Sequence, residues 1–174
     1  MDAARAELSR LMAAAMDSGE AYEPDYANRP TPMGARHEER AFAWGAAFYG
    51  ALGVHREDAA ARRAFERENL FFYGAPVAMI FHLPGNAVPG TFLEMGFFLQ
   101  NVMLGLVSCG LGSCPQYSVA RYSKVIRDYL GLGSDRLIVC SLSVGHVDET
   151  APINRFHPPR AALGEYTQWY GQAP

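Results

Sequence analysis

Between Asn69 and Ala120 the chain runs for 52 residues with one formal charge, Glu94. At the overall charged fraction of 19%, that length would hold about ten. Charged side chains are the ones that almost never leave water, so this stretch is expected to form the hidden middle of the molecule. Its centre is residues 91–109, TFLEMGFFLQNVMLGLVSC, apolar around the helical circumference except for a narrow seam of Glu94, Asn101 and Ser108 at seven-residue spacing. A helix of that kind has to be enclosed on nearly every side. Glu94, Gln100 and Asn101 interrupt it and no basic flank follows, so the expectation is a buried helix and no membrane span.

Two apolar runs read as strands: Ala75 to His82, fenced by Gly74, Pro76 and Pro84, and Leu137 to Val144. A lone pair of strands is marginal in water, so the rest of the sheet is expected from a partner chain or from sequence not present here. Helical spacing is found over residues 3–16, 35–51 and 56–70, and a further helix is expected from Ser118 to Leu130, closed by Gly131. Residues 20–34, with Pro24, Pro30, Pro32 and Gly34, read as an irregular connection. Phe42, Trp44 and Tyr49 have the spacing of core residues, with the lining of a substrate site as the other reading. The proline-rich tail, APINRFHPPRAALGEYTQWY, ends in aromatics that need a surface to cover.

Composition removes several function classes. Fifteen Lys and Arg against 18 Asp and Glu, thinly scattered, leave no basic stripe for a phosphate backbone, so no nucleic acid partner is expected. The three cysteines (Cys109, Cys114, Cys140) form no C-x-x-C pair and the five histidines are dispersed, so no metal site is expected. An odd thiol count and an N-terminus bearing Asp2, Arg5, Glu7 and Arg10 point to a reducing, cytoplasmic location.

One segment could carry chemistry. The turn Gly110-Leu111-Gly112-Ser113-Cys114-Pro115-Gln116-Tyr117 joins the most apolar helix to the next one. Glycine lets backbone approach a ligand, and amides at a helix start are ready donors to an electron-rich atom; a helix cap followed by a tight turn explains the same residues. It is neither a Walker loop nor a G-x-G-x-x-G fingerprint. Cys114 could be a thiolate nucleophile or a small buried residue, and no base accompanies it. Arg155 follows Pro152 in the tail and could meet a phosphate or lie in solvent.

Taken together, FFYGAPVAMIF, LEMGFFLQNVMLGLVSCGLGSCPQYSVARY and VIRDYLGLGSDRLIVCSLSVGHVDETAPINRFHPPRAAL resemble the C-terminal part of the nitroreductase family of flavin enzymes, over roughly residues 64–170. The resemblance implies that residues 1–174 are a single α+β domain, a small central sheet flanked by helices. It implies a homodimer with FMN at the subunit interface, reduced by NAD(P)H and reoxidised by a nitroaromatic, quinone or similar small-molecule acceptor. Carried over by position, Pro115 and Gln116 cover one face of the isoalloxazine. The amides of Tyr117 and Ser118 point toward N5 and O4, Asn154 and Arg155 meet the phosphate, and helix 91–109 becomes the central dimer helix. The chain departs from the family at its start: MDAARAELSR resembles the helix that follows the family's first strand. The resemblance therefore implies an N-terminally truncated chain and leaves two outcomes open, an FMN-dependent oxidoreductase or a non-catalytic dimerisation remnant that binds FMN weakly or not at all.

Overall fold

A computed structural model describes residues 2–19 and 23–171 of the chain. Contacts divide it into two compact units, one comprising Met1–Met33 with Asp58–Val147, the other Gly34–Glu57 with Asp148–Pro174.

The first unit is built on a three-stranded antiparallel sheet in the order β1-β3-β2, with β1 at Val77–Pro84, β2 at Gly112–Gln116 and β3 at Arg136–Gly145. The middle strand is buried from Ile138 to Val144, because each face of the sheet is covered by its own cluster. On one side Leu8 and Met12 of α1 (Asp2–Ser18) and Ile126 of α5 (Ser123–Leu130) close over Ile138, Leu70, Phe72 and Val119. On the other, Phe92, Met95 and Leu99 of α4 (Pro89–Ser108) lie on Leu83, Val139 and Cys140. Adjacent Val139 and Cys140 belong to one face because the pairing slips there. Phe81 sits opposite Cys140 and His82 opposite Ile138, so Val139 is an extra, bulged residue.

Local chemistry sets the element ends. Asp58 caps α3 (Ala59–Glu68) by accepting the Ala61 N–H at 2.9 Å. Pro89 opens α4, where the Val88 N–H donates to Thr91 Oγ1 at 3.3 Å. Gly131, at φ 66°, stops α5 in the left-handed conformation. Between α3 and β1 a 3-10 turn, Asn69–Gly74, holds Phe72 (φ 55°) and Tyr73 (φ 51°) in the left-handed region that bulky residues avoid. The strain is borne because Phe72 ends fully buried in the first cluster.

Three expectations need correction. The turn 110–117 contains a strand, β2, so the sheet has three strands where two were expected. Pro115 is tolerated because β2 is an edge strand, with no neighbouring strand on its far side among the described residues to need the missing N–H. The apolar helix is not buried: Leu93, Phe97, Phe98, Leu104 and Val107 of α4 are all more than half exposed. Only the face bearing Phe92, Met95 and Leu99 is covered. By length and composition α4 could cross a membrane, but that packed face ties it to the sheet.

In the second unit, α2 (Ala35–Ala51) is accompanied by the tail. Phe156 packs edge-on against Phe48 at 6.0 Å, and Glu165 pairs with Arg40 at 2.8 Å and Arg36 at 3.2 Å. Phe42 and Trp44 are 58% and 50% exposed, so the core reading fails for both; Arg56 covers the Phe42 ring at 4.7 Å and Trp44 stacks on Phe48.

Candidate functional site

The segment singled out by its glycines lies along the edge of the sheet, and each of its side chains has a definite direction. Residues opposite each other in register share a face. Pro115 pairs with Leu142, which pairs in turn with Met79, so the exposed Pro115 ring stands on the same side of the sheet as Phe81 and α4. Gln116 pairs with Ser141, opposite Ile80, and points to the other side, where it is 3% exposed.

There the Gln116 amide is satisfied at both ends. Its Oε1 accepts the hydroxyls of Ser143 and, at 3.5 Å, Ser141; its Nε2 donates to Asn69 O at 3.0 Å and Asn69 Oδ1 at 3.3 Å. Ser118 Oγ donates to the same Asn69 Oδ1 at 2.7 Å. Buried polar groups with complete partners fix a local geometry, because any displacement leaves one unpaired at a cost of about 1–3 kcal/mol.

Tyr117 is held from a third direction. Its hydroxyl donates to Tyr26 O at 2.8 Å, and the Tyr26 hydroxyl donates to Val139 O at 2.8 Å. The Tyr26 phenol is pushed up to about 12, first by burial and then by Cys140 and Tyr117. It stays a neutral donor throughout the working range. Next to it, Asp25 accepts from Ser123 Oγ, the Ile138 N–H and Arg127 Nη1, the last at 2.5 Å. Residues 23–28 are thus strapped to the sheet on which β2 rests.

What this leaves exposed is Cys114 and the Pro115 ring, with Tyr117 and Ser118 half-buried at the start of the 3-10 turn Ser118–Tyr122. The first N–H groups of any helix have no partner within it. Cys114 is ill suited to nucleophilic chemistry: it is exposed and not a core residue, yet surrounding protein atoms push its thiol up, away from the thiolate. Cys140, buried, is pushed up to about 11. Among the described residues no group of three or more His, Cys, Asp or Glu could hold a metal.

Asn154 and Arg155, in the second unit, are both exposed. Asn154 Nδ2 donates to Asp148 O at 2.7 Å and Arg155 Nε to Glu149 O at 3.1 Å, which uses one of the five guanidinium donors. The neighbouring Asp148 carboxyl is held down chiefly by the Thr150 hydroxyl and N–H, and to a lesser degree by Arg155.

The expectation that Gln116 covers a flavin face beside Pro115 needs correction, since its side chain is buried on the opposite face of the sheet; the residues that hold Gln116 and Ser118 were missed from sequence. Ser141 and Ser143 carried a usable signal: two hydroxyls at i, i+2 in an otherwise apolar strand mark one face as polar. Asn69 carried none, since it meets Gln116 across 47 residues.

The model describing the nitroreductase family matches residues 3–146, and the chain belongs to that family. It is 37% identical over 145 residues to a 4-nitrobenzoate reductase of Pseudomonas putida, covering 83% of this chain and 64% of that protein. It is 36% identical over 133 residues to the nitroreductase NfnB of Mycolicibacterium smegmatis, covering 76% of this chain and 56% of that one. The chain thus spans less than two thirds of the length of these relatives. The crystal structure of the FMN- and NADPH-dependent nitroreductase NfnB from Sphigopyxis sp. strain HMH superimposes with a TM-score of 0.93 at 37% identity, over 97% of this chain and 76% of that one. The FMN-dependent NfnB from Mycobacterium smegmatis, solved in complex with NADPH, gives 0.91 at 31% identity, over 97% and 75%. The α+β architecture is therefore that of the family.

Proposed function

We propose that the chain forms an FMN-dependent NAD(P)H oxidoreductase, acting as a soluble, cytoplasmic homodimer on a nitroaromatic or similar small acceptor. The observation that carries this reading is the segment Pro115–Ser118: Gln116 and Ser118 are anchored by a satisfied buried network, next to an exposed proline ring on the α4 face of the sheet. The donor set suits a flavin. Its N5/O4 edge needs hydrogen-bond donors and no countercharge, and its tricyclic face needs flat apolar contact. FMN, when bound, accepts a hydride and passes electrons on.

The chain's own residues bind, orient and dry the site. The Tyr117 and Ser118 N–H groups are aimed at the electron-rich edge, where a preorganised donor counts for most as negative charge grows. The Pro115 ring supplies apolar contact, and Gln116 turns away to lock the end of β2. Asn154 and Arg155 receive the phosphate, whose dianion suits a guanidinium. The exposed apolar side of α4 packs against a second copy: five large side chains in water, at roughly 1.5–3 kcal/mol each, are a cost of order 10 kcal/mol that association removes. Similarity to proteins named for nitro-compound reduction supports the acceptor class.

The test is the absorption spectrum of the purified protein during sedimentation. A yellow dimer whose flavin bleaches with NADPH and recovers with a nitroaromatic supports the reading. A colourless protein that excess FMN does not reconstitute overturns it.

A further inference from the structure

We propose that Asn69, which lies outside the flavin-contacting segment, is the positioning residue that aims the Tyr117 and Ser118 amides. This rests on the FMN reading above. Residues on both sides of Tyr117 are tied to this one side chain and its carbonyl: Gln116 Nε2 donates to Asn69 O and Oδ1, and Ser118 Oγ donates to Asn69 Oδ1. The amide cannot flip. Its Nδ2 end donates to Glu66 O at 3.1 Å, the last turn of α3, which commits the oxygen end to Gln116 and Ser118.

Asn69 is itself held at both ends. Behind it lies α3; ahead of it the left-handed pair Phe72 and Tyr73 returns the chain so that Phe72 fills the core. A strained, anchored turn that delivers one amide to the flanks of a donor pair has the form of a supporting shell for a binding site. Asn69 never touches the flavin edge in this arrangement. Its effect is transmitted through the angle of two peptide planes, and that angle sets how strongly reduced flavin is favoured over oxidised.

The experiment compares the wild type with Asn69→Ala, Ser118→Ala and the double variant. For each, FMN affinity is measured on apo-protein by flavin fluorescence, the midpoint potential of the bound flavin is measured, and the melting temperature of the apo-protein is recorded. Each single variant is expected to weaken FMN about tenfold, the worth of one hydrogen bond of roughly 1–1.5 kcal/mol. Each is also expected to shift the potential to more negative values. The double variant should be no worse than Asn69→Ala, since the Asn69–Ser118 bond is already gone. Ser118→Thr, which keeps the hydroxyl, should recover binding relative to Ser118→Ala.

A lower apo melting temperature with an unmoved potential would assign the network to stability alone and overturn the proposal. Fully additive losses, or Ser118→Thr as weak as Ser118→Ala, would overturn it as well. If the wild type binds no FMN, the oxidoreductase reading fails first and takes this one with it; the wild-type arm separates the two.

Discussion

Asp25 and Arg127 form the most enclosed ion pair described, their side chains 13% and 18% exposed. Removing one partner of such a pair leaves the other charge buried, so Asp25→Ala should lower unfolding free energy by about 3 kcal/mol in urea titration. His82 gives a pH signature. Its Nδ1 accepts from Arg136 Nε at 2.9 Å, which requires the neutral ring, and its pKa is lowered below 6.5 by burial first and by Arg136 second. A group with a depressed folded pKa binds fewer protons folded than unfolded. Stability is thus full above pH 6.5 and declines as pH falls from there through the folded pKa. Melting temperatures between pH 7 and pH 5 should fall more for the wild type than for His82→Gln, about as in any His-linked transition. Equal slopes would remove His82 from the account.

Among the elements, β2 is the one most dependent on a glycine. A Cβ at Gly112 would overlap Val147 Cγ2, the residue just beyond its partner Gly145. Gly112→Ala should therefore destabilise by about 1–3 kcal/mol, as overpacking does, and Val147→Ala should rescue most of it in chemical denaturation. On α4, Phe97 is 62% exposed within the chain. If that face meets a second copy, Phe97→Asp should convert the sedimenting dimer to monomer without loss of helicity. The helices were legible because their 3.6-residue period is local: α2 was read at 35–51 and found at Ala35–Ala51. β2 was not, because Gly-Ser-Cys-Pro-Gln has turn composition and becomes a strand only through pairing with β3, some thirty residues on. The state of α4 was half legible. Apolarity shows that a helix must be covered, and says nothing of which chain covers it.

For the whole molecule, scarcity of charge between Asn69 and Ala120 marked β1, α4 and β2 but not the buried middle strand β3, which lies beyond it, and α4 is largely exposed within the chain; the tie from Asn69 to Gln116 and Ser118 emerges only in three dimensions. Family membership defines the architecture; the site depends on whether two peptide groups at the end of β2 receive a flavin. Amide hydrogen exchange of the peptide spanning residues 111–122, with and without FMN, addresses that directly. Added FMN should slow exchange there more than anywhere else in the sheet. FMN that binds while this peptide exchanges at its unliganded rate would contradict the assignment.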